Sequence, residues 1–373
     1  MKSDCCFNQL SFYHCVDGIA PDIMHDLFEG IIPYEFTALV RSLKVKKILN
    51  LDEINRCILS FKFGKIDKQS KPSKFFDSQE GNFKQTASRM FTFFRLFGIM
   101  FGKKLKLVDE FKSFCELYEI VQIILLDKIN QSIINYLSVL IVHHLEQFQI
   151  VYGLNISPKQ HFLLHYPNLI EKFGPLKHFW TFRFESKHRY FKQLIKASHN
   201  FINITHTLLK RHQSLFYLNM FNNTHERMDF HSMGHISFSE LRTQFNNNSI
   251  NSIFQKCDNI QKLKWIKLNG MKYYEKNVLF LQVDTNTKMP IFGIVEAIYL
   301  SDDNSIVFAV QQFETISYCT YRQCYIVRNS KNQNLINLNN LTHKYPLDLY
   351  NCEDNLNENL IALKYNVFEL VNL

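Results

Sequence analysis

The apolar period of this chain changes once, close to residue 260, and that change divides what it can fold into. Before it, apolar residues recur at three- and four-residue spacing. Phe114, Leu117, Ile120, Val121, Ile124 and Leu125 do so in one segment, and Leu137, Leu140, Ile141, His144, Leu145 and Phe148 in the next. That spacing lines one face of an α-helix. After the change, β-branched and aromatic runs take over at 278–283, 291–299 and 305–310, cut by the turn signals Asp284-Thr-Asn286 and Asp302-Asp-Asn304. Residues 321–327 and 360–364 add two more strand candidates. The expected fold is mainly α, followed by a small antiparallel β-barrel domain.

Five segments follow from this pattern. Residues 1–45 hold a short strand candidate (10–16) and a helix opened by Pro21 and Asp22, residues suited to a helix start. Residues 46–155 read as helical apart from a polar loop over 65–82, with much of the chain's 35 Phe as core. Residues 156–221 are helical again. A polar linker, 222–261, includes Asn246-Asn247-Asn248 and has too little to bury for anything but a loop. Residues 262–373 form the β domain.

What the chain lacks excludes several classes. It has only 11 Gly and 8 Pro in 373 residues, against roughly 12% for the two together in ordinary domains. Neither G-x-x-x-x-G-K-S/T nor G-x-G-x-x-G is present, which argues against a P-loop NTPase or a Rossmann dehydrogenase. The longest greasy stretches, Ile120 to Leu126 and Tyr136 to Val142, fall far short of the ~20 residues that span a bilayer. The nine cysteines include no C-x-x-C pair, and Met1-Lys-Ser-Asp-Cys-Cys has no apolar signal core. The expectation is a soluble intracellular protein with reduced thiols and no membrane partner. With 43 basic against 34 acidic residues, the net charge of +9 permits a polyanionic partner, although solubility alone would also explain it.

Three strings could carry chemistry. Asp22-Ile-Met-His25-Asp26-Leu-Phe-Glu29-Gly30 gathers three carboxylates and an imidazole within two turns; helix capping and ordinary solvation explain it almost as well. His161 and His165 sit at i and i+4, a spacing that supplies two zinc ligands or simply two polar residues on a half-exposed face. In Trp180-Thr-Phe-Arg183-Phe-Glu185-Ser-Lys187-His188-Arg189-Tyr-Phe-Lys192, a carboxylate is framed by cations. It reads either as a salt-bridged surface helix or as a metal-binding acid beside a track for DNA phosphates.

Together with Gln85-Thr-Ala-Ser-Arg-Met90 and the run from Asn200 through Lys210-Arg211 to Gln213, these strings resemble the C-terminal part of a DDE transposase of the CACTA (En/Spm)-like group. They are similar, more distantly, to Transib transposases and to the catalytic subunit of the V(D)J recombinase. The likeness covers roughly residues 10–213. It implies an RNase H-like core interrupted by a long helical insertion (46–155), with C-terminal helices and then the β domain. In that family two aspartates and a glutamate hold two Mg2+ or Mn2+ ions for phosphodiester attack. Glu185 matches the third acid. Asp22 and His25 match a D-x-x-H motif beside the active site. His161 and His165 match the histidine half of a zinc site completed by an upstream C-x-x-C. Arg183, Lys187, Arg189, Lys192, Lys210 and Arg211 are the expected DNA contacts. Nuclear location, a DNA partner and self-association as a dimer follow from the same likeness.

The departures from the family are equally definite. Both catalytic aspartates and the C-x-x-C precede the D-x-x-H motif in relatives, whereas only 21 residues precede Asp22 here and Cys5 and Cys6 are adjacent. Asp22 as the missing second aspartate is disfavoured by motif order. A lone Glu185 does not hold two metal ions. The resulting expectation is a transposase fragment that is not catalytically competent alone, keeps DNA-backbone binding and has an incomplete zinc site. The alternative is a host-adopted protein- or chromatin-interaction protein acting through its β domain.

Overall fold

In the computed structural model, residues 6–13, 18–76, 81–199, 201–221, 228–237, 239–241, 245, 253–254, 259–268, 270–341, 343–351 and 358–365 are described. They pack as two compact units. One comprises Met1–Ser60, Pro72–Phe94 and Lys104–Ser186, the other Phe61–Lys71, Arg95–Lys103 and Lys187–Leu373. A helical region followed by an antiparallel sheet matches the expected order of classes. Within the stretch 46–155, residues 61–71 and 95–103 pack with the β region.

The first unit is helical. It opens on a wide, π-helical segment, Met24–Ile31, that runs into α1 (Ile32–Val45) with Pro33 in the first turn. The Ile32 N–H reaches back five residues to the Leu27 carbonyl, the hydrogen bond of a π-turn. Then come α2 (Leu51–Ser60), α3 (Ala87–Leu105, of which 95–103 belong to the second unit), α4 (Asp109–Ile124) and α5 (Gln131–Tyr152), the last capped by the Asn130 side chain and closed by Gly153 at φ 63°. Short helices α6 (Pro158–Phe162) and α7 (Tyr166–Phe173) follow, α6 held by a capping box between Ser157 and Gln160. The core is aromatic: the Phe36 ring lies 5.0, 5.9, 4.8 and 6.4 Å from those of Phe75, Phe83, Phe93 and Phe114. The strand expected at 10–16 does not form over 10–13, which make a turn after a short 3-10 segment. Residues 14–17 lie outside the described residues.

Helices α8 (Phe182–Ser198) and α9 (Ile204–Phe221) follow, and α8 buries none of its residues. The sheet has ten strands: β1 (Met228–Ile236), β2 (Ile260–Leu268), β3 (Met271–Tyr274), β4 (Val278–Val283), β5 (Pro290–Ser301), β6 (Ile306–Cys319), β7 (Cys324–Asn337), β8 (His343–Leu347), β9 (Tyr350–Asn351) and β10 (Glu358–Ile361). All pairings are antiparallel, in the order β1-β2-β5-β6-β7-β10-β9, with β3 on β2 and β4 bridging β5 and β8. Bulges between Val295 and Ala297, Gln311 and Phe313, and Thr315 and Ser317 bend the three long strands. The sheet buries both faces: Leu263, Ile266 and Phe308 belong to one cluster, Tyr299, Val307 and Ala309 to another.

Residues 222–261 are not all linker. β1 lies within them, and a strand exposed along nearly its whole length has no burial alternation for the sequence to show. The triple Asn246-Asn247-Asn248 lies outside the described residues. The polar loop over 65–82 hides a buried acid. Asp67, 4% exposed, pairs with Arg95 and accepts a hydrogen bond from the Tyr350 hydroxyl at 2.5 Å. Asp348 in turn accepts the backbone N–H groups of Ile66 and Asp67 at 2.9 and 2.8 Å. These bonds explain why 61–71 belongs to the sheet unit. No helix among the described residues is long and apolar enough to cross a membrane.

Candidate functional site

Pro21 and Asp22 enter the π-helical segment, and the Asp22 carboxylate organises its first turn. Its Oδ1 accepts the N–H groups of Met24 at 3.2 Å and Thr181 at 3.0 Å. Its Oδ2 accepts the Thr181 hydroxyl at 2.6 Å and pairs with Nδ1 of His25. Partial burial pushes the Asp22 pKa up, but the hydrogen bonds from Thr181 and His25 outweigh it and leave the carboxyl below its ordinary range. His25 is raised, first by its hydrogen bond to Asp22. Its other nitrogen, Nε2, lies 3.5 Å from Oε1 of Glu185 and 3.9 Å from Oε2 of Glu29. An imidazole thus stands between a fixed carboxylate and a half-exposed one, an arrangement able to hold a proton at Nδ1 or Nε2.

The neighbouring residues fix this geometry. Lys159, on α6, donates from Nζ to the His25 carbonyl at 2.9 Å. A Cβ on Gly30 would stand 2.3 Å from Lys159 Cδ, so the glycine leaves room for the lysine stem. Tyr166, fully buried, donates to Asp26 at 3.1 Å; burial raises Asp26, and the tyrosine hydrogen bond offsets part of that. Glu29 accepts the Ala87 N–H at 3.2 Å, satisfying one of the orphan donors at the start of α3. Beneath lie the rings of Phe28, Phe91 and Phe182, with Phe28 4.9 Å from Phe91 and 6.0 Å from Phe182.

Of the residues singled out in the sequence, Asp22, His25 and Glu185 therefore converge. His161 and His165 also meet, with ring centroids 5.1 Å apart, but not on one helix. α6 ends at Phe162 and His165 closes a short 3-10 turn, so both rings face solvent. Among the described residues no group of three or more His, Cys, Asp and Glu side chains is arranged to hold a metal ion. Arg183, Lys187, Arg189 and Lys192 on α8, and Lys210 and Arg211 on α9, are all exposed. Cys5 lies outside the described residues.

Sequence reasoning missed Thr181, Lys159 and Tyr166, which carry no motif of their own. It also missed a buried polar cluster. Glu35 Oε1 receives His144 Nε2 at 3.1 Å and Gln160 Nε2 at 2.9 Å, and Glu116 Oε2 stands 3.8 Å from His144 Nδ1. Its signal was a histidine on an otherwise apolar helical stripe. A scan against protein-family models finds no match to this chain, and a search of curated proteins finds none either.

Proposed function

We propose that this chain is a DNA-binding protein derived from a DDE transposase of the CACTA-like group, with the Asp22–His25–Glu185 cluster as the remnant of its catalytic neighbourhood. One observation carries this reading: three of the five strings on which the resemblance rests meet in one place. Asp22 bonds to Thr181, His25 faces Glu185, and Glu29 caps α3 through Ala87 in the Gln85-to-Met90 string. Those strings are separated by scores of residues, and a chance likeness has no reason to bring them together. On this reading the helices around the cluster belong to an RNase H-like core, the bent sheet is the barrel domain, and the protein works in the nucleus, as a dimer on DNA. Phosphodiester transfer is not part of this reading.

The binding surface is the exposed basic face of α8 and α9. Neutralising about five phosphates with these side chains gives a slope of log affinity against log salt of roughly −4 to −5 on duplex DNA. Fluorescence anisotropy with labelled duplex should show that slope, and the Lys187→Glu/Lys192→Glu double substitution should lower affinity and flatten it by about 2. Unchanged affinity in that variant would remove the proposal. Incubation with supercoiled DNA and Mg2+ should yield no cleavage, and cleavage lost in Glu185→Gln would restore an enzymatic role. A second reading, an interaction protein acting through its sheet, is favoured by β1: this terminal strand leaves seven of its nine residues exposed, Phe230 and Met233 among them. Such edges accept an added strand from a partner.

A further inference from the structure

On the β2–β3 ribbon, Trp265 stands directly opposite Tyr274, and Lys267 directly opposite Lys272. Across the other edge of β2, His231 of β1 pairs with Trp265, its ring 6.5 Å away. Lys272 Nζ sits 3.6 Å from the centroid of Trp265 and 5.0 Å from that of Tyr274, while Lys65 Nζ lies 5.2 Å from Tyr274. Trp265, Tyr274 and Lys272 are half-buried; Lys267 and His231 are exposed. Two aromatic faces and three lysines thus share one patch.

Cation–π contacts account for Lys272 and Lys65 beside the rings, but not for Lys267 directly opposite Lys272. Like charges directly opposite each other in a sheet destabilise it, and among the described residues none of Lys65, Lys267 and Lys272 forms a salt bridge. Asp229, opposite Lys267 on β1, offsets one charge only. A polyanion would relieve the remainder. Aromatic faces accept two kinds of guest, a cation or a flat base. The cation position over Trp265 is already filled by the chain's own ammonium group, and a methylated-lysine peptide would have to displace it into a field of lysines. A single nucleic-acid strand meets no such repulsion: its bases take the ring faces, and the lysines swing from the rings to the phosphates.

We infer that the β2–β3 face is a binding site for single-stranded nucleic acid, with Trp265 and Tyr274 as stacking platforms and Lys65, Lys267 and Lys272 as phosphate contacts. The site stands independently of the transposase reading and of the basic helices. The chain has two tryptophans, Trp180 and Trp265, so a Trp180→Phe background makes the emission report on the patch alone. Titrating that full-length protein with a twelve-nucleotide oligothymidine should quench Trp265, and the matched duplex should not. Trp265→Ala should weaken oligonucleotide binding, read by anisotropy, by roughly 5- to 100-fold. Lys272→Gln should cut the salt slope by about 0.7 while leaving the fold intact by circular dichroism. Because the quench belongs to the sheet, it should survive Lys187→Glu/Lys192→Glu, which tests the basic helices separately. Absence of quenching at saturating oligonucleotide overturns the site, as does an unchanged affinity in both Trp265→Ala and Lys272→Gln. Quenching by a trimethyl-lysine peptide but not by the oligonucleotide would reassign the patch to a cationic protein partner.

Discussion

His144 is the most constrained ionisable group in the helical unit. It is fully buried on α5, with Glu35 of α1 and Glu116 of α4 facing its two ring nitrogens and Gln160 of α6 sharing the Glu35 oxygen. Burial works against the charged ring, yet the charges of Glu35 and Glu116 overcome it and hold the pKa at about 9, above the ordinary 6.5. A raised histidine stabilises the fold fully below 6.5, and that contribution is lost as pH climbs through about 9. The loss is on the order of 3 kcal/mol. Denaturant midpoints of the wild-type helical unit should therefore fall between pH 6.5 and 9.5. In His144→Gln, which keeps a donor for Glu35 but no titrating ring, the curve should be lower at pH 6.5 and shallower across that range, with His25 left to account for the remaining slope. An equally steep fall in the variant would place the titration elsewhere.

At the scale of elements, α3 and the β6–β7 turn show how a helix-disfavoured residue becomes a requirement. A Cβ on Gly98 would come within 2.5 Å of the Arg322 carbonyl oxygen, and one on Gly102 within 2.1 Å of the Tyr321 carbonyl oxygen. Backbone does not yield as a side chain does, so Gly98→Ala should destabilise the sheet unit by roughly 1–3 kcal/mol despite alanine's better helix propensity. Thermal melts followed at strand wavelengths would register it, and a rise in Tm would refute the packing. This approach was not legible in the sequence, where two glycines four apart in an aromatic run look only like weak points. Helix α5 was legible because one stripe is buried, α4 because its apolar residues recur at helical spacing even though most of the helix is buried, and β4 because its run is apolar on both faces. β6 and β7 extend well beyond the runs that signalled them, since their later halves alternate or lie exposed. The strand expected at 321–327 starts only at Cys324, because Tyr321 to Gln323 make the turn that Gly98 and Gly102 admit. At the site, Asp22, His25 and Glu185 were legible as motif residues; Thr181 was not, since its role comes only from packing against Asp22.

For the molecule as a whole, the exposed apolar residues of α9 weigh as much as its net charge of +9. Leu209, Phe216, Tyr217, Leu218, Met220 and Phe221 are each more than half exposed. Runs of that kind often mark association sites, and on the proposed dimer reading a second copy of the chain covers this one. Sedimentation should show weight-average mass rising with concentration, persisting at high salt where charge repulsion is screened. Phe216→Lys/Phe221→Lys should leave a monomer without loss of helix content. A concentration-independent mass in the wild type would contradict this.

The wide turn at Met24–Ile31 sets the phase between two surfaces. One extra residue is spent there without lengthening the hydrogen-bonded ladder in proportion, and that residue decides where His25 points while α1 keeps its buried stripe. Deleting a single residue from the segment would restore an ordinary helix and turn everything upstream by about 100°. The core of α1 would be unaffected, but Asp22 would swing off Thr181 and His25 off Glu185. A lineage that kept the fold but lost the wide turn would have lost the site.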